Sequence, residues 1–192
     1  MQNTTAIAAA FGALVFATAA AANDFRPAME AFHASTIEDW ASADVIVEAI
    51  TAQNTVTAGY SDADITALDE AWMAEVGTSS TPTISPVLEN PLAEFLREQV
   101  AASGGLITEV FVMDARGLNV AASHVTSDYW QGDEAKHSET FMVGAGAMHF
   151  SDIELDESTQ RYQGQISMTI TDPATGQPVG AMTIGVDAEA LM

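Results

Sequence analysis

The spacing of apolar residues changes once along this chain, at Ser103-Gly104-Gly105, from the three-and-four interval of helices to the pattern of strands. That single switch constrains the fold more than any other feature. Helices gathered at the front and strands gathered behind, joined mostly by short connections, cannot build a βαβ repeat; they predict an antiparallel α+β domain.

From Pro27 to about Thr57, Met29, Phe32, Trp40, Ala43, Val47 and Ile50 recur at helical intervals, which predicts one long amphipathic helix. Ser61, with Asp64 three residues on, caps a second helix carrying Ile65, Leu68, Trp72 and Val76 and ending at Gly77. The Ser/Thr/Pro run at residues 78–86 is a loop, and Asn90-Pro91 opens a third helix. Behind the glycines, residues 106–113 (LITEVFVM) are apolar on nearly both faces, as in a central strand. A turn at residues 114–117 (DARG) pairs them with 118–123. Residues 148–155 form a third strand. Residues 162–170 form a fourth with a polar stripe of Gln163, Gln165 and Ser167, and 179–186 a fifth. The long stretch 124–147 cannot be a tight hairpin.

Residues 7–17 (IAAAFGALVFA) and the small-residue run before Asn23 have the grammar of a signal peptide, so residues 1–22 are expected to be removed near Ala22 and 23–192 to form a single domain in the periplasm. Twenty-seven acidic against 5 basic side chains give a formal charge of −22, a field that repels phosphate backbones and excludes nucleic acid as a partner. With no cysteine there are no disulfides, thiolate metal sites or cysteine nucleophiles.

The sequence FVMDARGLNVAAS, followed by a polar-aromatic segment and later by TDPATGQPVGAMTIGVD, resembles the Cache branch of the PAS-like periplasmic sensor domains over about residues 39–187, closest to single-Cache, stand-alone forms. The resemblance implies a long N-terminal helix and further helices packed on a five- to six-stranded antiparallel sheet. It also implies a small-metabolite site between that sheet and the segment joining its second and third strands. In place of the Arg-x-Trp-Tyr motif of amino-acid-binding members, this chain has SDYWQGDEAK, so an organic acid is expected in preference to an amino acid.

Within that segment, Asp128, Tyr129, Trp130, Gln131, Lys136 and His137 offer the mixture of aromatic walls and polar groups that a small-ligand pocket needs, and Gln165 is added from the polar stripe. Lys136, the only lysine, either meets a ligand carboxylate or pairs with Asp133 or Glu134 on a solvated turn. His33, His124, His137 and His149 show no zinc spacing, no nucleophile elbow is present, and abundant acids make any carboxylate pair uninformative. Neither cofactor, metal nor catalysis is expected. The expected function is therefore a periplasmic Cache-like module that binds a small polar metabolite. The competing expectation is a ligand-free acidic module, its pocket collapsed below about 100 Å³ where ligand pockets run from about 300 Å³, that docks on a membrane sensor kinase or chemoreceptor. Pairing of two copies through the N-terminal helix is a further expectation.

Overall fold

A computed structural model describes residues 24–156 and 159–192, so the signal peptide and its cleavage site near Ala22 lie outside the described residues. Among the described residues, seven α-helices, a π-helical turn, a closing 3-10 turn at Ala188–Leu191 and a six-stranded sheet follow the helices-then-strands order read from the periodicity, apart from one short helix between strands.

The expected long N-terminal helix is interrupted. Helix α1 (Arg26–Phe32) runs through a π-helical turn at His33–Ile37 into α2 (Glu38–Ala41), and α3 (Asp44–Thr57) starts afresh. Between them Ser42 leaves helical angles (φ −108°, ψ 18°) and Ala43 is extended (ψ 139°). Just before the bend the Trp40 indole donates to the Thr36 carbonyl at 2.9 Å and meets Phe95 edge-on, with ring centroids 6.2 Å apart. Met29 and Ile37 before the break and Ile46 and Ile50 after it enter the same core, and Trp40, Ala43, Val47 and Ile50 keep a three-and-four spacing through a kink that this pattern cannot register.

Helix α4 (Asp62–Glu75) has the expected capping box: Ser61 accepts from the Asp64 N–H, and Asp64 accepts from the Ser61 N–H at 2.9 Å. A short helix α5 (Ser85–Leu88) occupies the end of the expected loop, and α6 (Pro91–Ala102) is capped by Asn90, whose side chain accepts from Ala93 N–H at 2.8 Å.

The strands are β1 (Ile107–Met113), β2 (Asn119–Ala122), β3 (Met148–Phe150), β4 (Glu154–Leu155), β5 (Tyr162–Thr171) and β6 (Pro178–Asp187). They pair antiparallel in the order β2-β1-β6-β5-β3, with β4 also on β5; the single third strand expected at 148–155 is thus two short edge pieces. A four-residue helix α7 (Ala135–Ser138) lies in the connection from β2 to β3. No described helix is long and apolar enough to cross a membrane.

Alternation along the strands sorts side chains to two faces. One carries Val110, Val112, Ile166, Met182 and Ile184 against α1, α3 and α6, forming the main core. The other carries Phe111, Met113 and Ala181 against Trp72 of α4 and Ile84 and Val87 of the α5 region. Both faces are covered, which is why every residue of β1 is buried. Burial of that apolar area is the main stabilising contribution, at about 25 cal/mol per Å².

Candidate functional site

The second sheet face changes character along its length. Towards Met113 it is apolar, whereas at the other end it bears Thr108, Glu109, Gln163 and Gln165, and the connection of residues 124–147 passes over it. The polar stripe on β5 therefore faces protein, with Gln163 3% exposed and Ser167 fully buried.

Backbone contacts from distant elements fix this connection as a lid. One carboxylate oxygen of Asp69, on α4, accepts from the N–H groups of both Tyr129 and Trp130 at 2.9 Å. The Trp72 indole donates to the Thr126 carbonyl at 2.8 Å, and the Trp130 indole to the Arg116 carbonyl at 2.8 Å. Gln131 N–H reaches the Gly117 carbonyl at 2.8 Å. Gly117 has φ 80° and its missing Cβ would overlap the backbone of Gly132, so two glycines permit the lid to touch the β1–β2 turn. At the far end His149 of β3 meets Glu139 at 2.9 Å.

Beneath the lid lies a cavity of about 260 Å³, bordered by Ser127, Glu134, Lys136, Ser151, Asp156 and Gln165. A crevice of about 20 Å³ continues inward to Glu109, Phe111 and Gln131. Three of the residues named from sequence therefore come together: Gln131 and Lys136 from the lid, and Gln165 from the sheet. Lys136 is central. Its side chain is 15% exposed, and its ammonium lies 3.0 Å from Glu134 Oε2, 3.1 Å from Gln131 Oε1 and 5.3 Å from the centre of the Phe111 ring. Of the partners named from the sequence it takes Glu134, and its side chain also borders the cavity.

The other four lie elsewhere. The Asp128 carboxylate accepts from Ser127 Oγ at 2.7 Å, while its carbonyl receives Asn119, Thr126 and Gln131; it braces the lid from within. Tyr129 stacks on Trp72 with centroids 5.4 Å apart, drawn there by the Asp69 anchor, and burial, aided by the negative charge of Asp114, pushes its phenol up to about 12. Trp130 is turned towards the β1–β2 hairpin by its bond to Arg116. His137 is 2% exposed, with Nε2 3.3 Å from the Asp114 carbonyl and its ring stacked on Phe141. Burial holds it below the usual imidazole range.

Sequence reasoning missed Glu109, Ser151 and Asp156. Glu109 is 3% exposed, and its Oε1 accepts from Gln163 Nε2 at 2.7 Å and Gln165 Nε2 at 3.4 Å. Thr108 bonds to Gln163 Oε1 in the same cluster. Gly185 makes room for it, since a Cβ there would lie 2.7 Å from Gln163 Oε1 and 2.9 Å from Glu109 Cγ. One signal was present in the sequence: a single acid in the otherwise apolar run LITEVFVM. A charge in a central strand demands polar neighbours.

A larger groove of about 600 Å³ runs between α3, Pro86 and Pro91. Its walls are mainly Val45, Ala49, Ala52, Val56 and Leu92, and it opens to solvent. The smaller cavity differs from it in that polar groups from sheet and lid converge there. Among the described residues no group of three or more His, Asp or Glu side chains is placed to hold a metal ion.

No protein-family model and no curated protein sequence matches the chain. Solved structures similar to it include the ligand-binding domain of the Campylobacter jejuni chemoreceptor Tlp3 in complex with L-valine, at 12% identity and a TM-score of 0.44, covering 87% of this chain and 64% of that one. Another is the sensor domain of the V. cholerae histidine kinase DctB, at 12% identity and a TM-score of 0.38, with 84% and 59% covered. A third is the ligand-binding domain of the Pseudomonas aeruginosa PAO1 amino acid chemoreceptor PctC with GABA, at 14% identity and a TM-score of 0.39, with 66% and 57% covered. The chain thus spans about 64% of the length of the Tlp3 domain.

Proposed function

We propose that this chain is a ligand-binding sensory module that takes a small polar metabolite into the cavity between its sheet and the lid formed by residues 124–147. The observation that carries this reading is the cavity of about 260 Å³ with Lys136 on one wall and Gln165 on the other. Its volume is close to the lower end of the range for small-molecule sites, about 300 Å³, and well above that of the collapsed pocket a ligand-free docking module would have. The Cache resemblance in the sequence supports the same location.

The expectation of an organic acid rests on the absent Arg-x-Trp-Tyr motif, which speaks only against an amino acid, and on Lys136 as the carboxylate partner, whose surroundings weaken it. Its ammonium already has Glu134 at 3.0 Å. Glu109, Glu134, Glu154 and Asp156 border the cavity and its crevice against that one cation. The reading therefore keeps the small polar metabolite and drops the acid preference.

The module binds without transforming its ligand. In support, the Ser–His contact among the described residues, Ser123 Oγ to His124 Nδ1 at 3.0 Å, joins adjacent residues away from the cavity, and Ser123 Oγ also accepts from the Val110 N–H. Export to the periplasm by residues 1–22, a membrane sensor kinase or chemoreceptor as partner, and pairing of two copies through the N-terminal helices complete the reading; the apolar run 7–17 supports the first. A thermal-shift screen of carboxylates, amines and purines should raise the melting temperature with one class, and a flat response across all three would overturn the reading.

A further inference from the structure

The ammonium of Lys136 sits in surroundings that would suit any alkylammonium. A carboxylate oxygen at 3.0 Å and an amide oxygen at 3.1 Å accept from it, and the Phe111 ring faces it at 5.3 Å. Phe111 and Gln131 are 2% and 1% exposed, so the aromatic face and the amide acceptor are built into the interior and present whether or not the lysine is. Charge-assisted hydrogen bonds and an aromatic face within about 6 Å are the recognition elements for a cationic amine. The lysine that fills the position is carried on α7, a helix of only four residues. The Glu134 side chain that pairs with it is 41% exposed, so the ammonium lies next to solvent-accessible surface that a flexible unbranched stem can reach.

The rest of the lining has the same preference. Four acidic residues and one lysine border the cavity and crevice, and no arginine borders either. An anionic guest would bring further negative charge into a partly desolvated space that already has an excess of it, whereas a cation would reduce that excess.

We propose that the cavity recognises an alkylammonium ligand, a short aliphatic amine or diamine, and that Lys136 is a resident surrogate whose ammonium the ligand displaces. The proposal rests on the reading of this cavity as a ligand site and names the charge of what enters. It reverses the role that Lys136 would have as a carboxylate anchor. Removing the lysine strengthens binding, because the ligand no longer competes with a tethered copy of its own functional group and gains the carboxylate that the lysine neutralised.

Isothermal titration at constant ionic strength separates these roles, with putrescine and succinate as probes of similar length and opposite charge. The unsubstituted chain is compared with Lys136→Ala, Glu109→Gln and the exposed-strand variant Glu154→Gln. Putrescine is expected to bind the unsubstituted chain, to bind Lys136→Ala about tenfold more tightly, and to weaken about tenfold in Glu109→Gln. Should Glu109→Gln fail to fold, Glu154→Gln carries the same test with a several-fold weakening. Succinate binding that disappears in Lys136→Ala would overturn the proposal and leave the ligand-site reading standing. Putrescine affinity unchanged in every variant would show counterion condensation on an acidic surface and also overturn it. Silence from both probes would remove the proposal, while the broader thermal-shift screen decides the ligand-site reading separately.

Discussion

His137 has one ring nitrogen satisfied and one not. Nε2 lies 3.3 Å from the Asp114 carbonyl, and buried Nδ1 has no hydrogen-bond partner. With Nε2 donating, Nδ1 is left bare, and a proton added there would place a cation in a desolvated site. Burial lowers the pKa from 6.5, and the Asp114 carbonyl and carboxylate and the Gly132 carbonyl oppose that without reversing it. The Asp114 charge is itself held by Thr57 Oγ1 at 2.8 Å, Gln53 Nε2 at 3.1 Å and the N–H groups of Arg116 and Leu118. A group whose folded pKa lies below its unfolded value favours the fold above the unfolded pKa, and that contribution is lost as pH falls through the folded one. Stability should therefore decline from about pH 7.5 to about pH 5.5, at no more than about 1.4 kcal/mol per pH unit from this residue. Urea unfolding at the two pH values should show a shallower decline in His137→Phe; equal slopes in both proteins would mean the imidazole is not what titrates.

The lid is held as an element chiefly from α4. Asp69 supplies one oxygen to two successive backbone N–H groups, and Trp72 donates to the lid at Thr126. Asp69→Ala leaves two half-buried donors without an acceptor, a loss of about 1–3 kcal/mol in urea unfolding, together with weakened ligand binding. A change below about 0.5 kcal/mol, the ordinary scatter of surface substitutions, would show that the lid does not depend on this anchor. The same geometry explains what the sequence disclosed. The capping box at Ser61, the Asn90 cap and the two-faced strand β5 were legible because each is set by neighbours within a few residues. The break at Ser42-Ala43 was not, since both halves of the helix serve one core and keep the same spacing. Within the lid, Gln131 and Lys136 border the cavity and its crevice, whereas Tyr129 and Trp130 lie elsewhere. Their directions are set by Asp69, Trp72 and Arg116, residues 14 to 61 positions away in the chain. No local pattern in an irregular segment encodes such partners.

At the scale of the molecule the charge balance is extreme, and the few cations are already engaged. Arg26 pairs with Glu30, Arg97 with Glu94, Arg116 with Asp62, Lys136 with Glu134 and Arg161 with Asp187. These account for all five basic side chains, leaving a formal excess of 22 carboxylates to repel one another over a surface of 10915 Å². The three more exposed pairs, of Arg26, Arg97 and Arg116, contribute about 0–1 kcal/mol each, and the two less exposed ones are less open to screening. Screening the excess gains more, because compaction brings those carboxylates closer together than they are in the open chain. Added salt shortens the Debye length from about 10 Å at 0.1 M to about 3 Å at 1 M. The melting temperature should therefore rise over that interval, equally in sodium and potassium chloride if screening is the cause. A melting temperature that stays level or falls would mean that the five pairs outweigh the repulsion, and a rise confined to one of the two salts would point to a specific ion instead of a screened field.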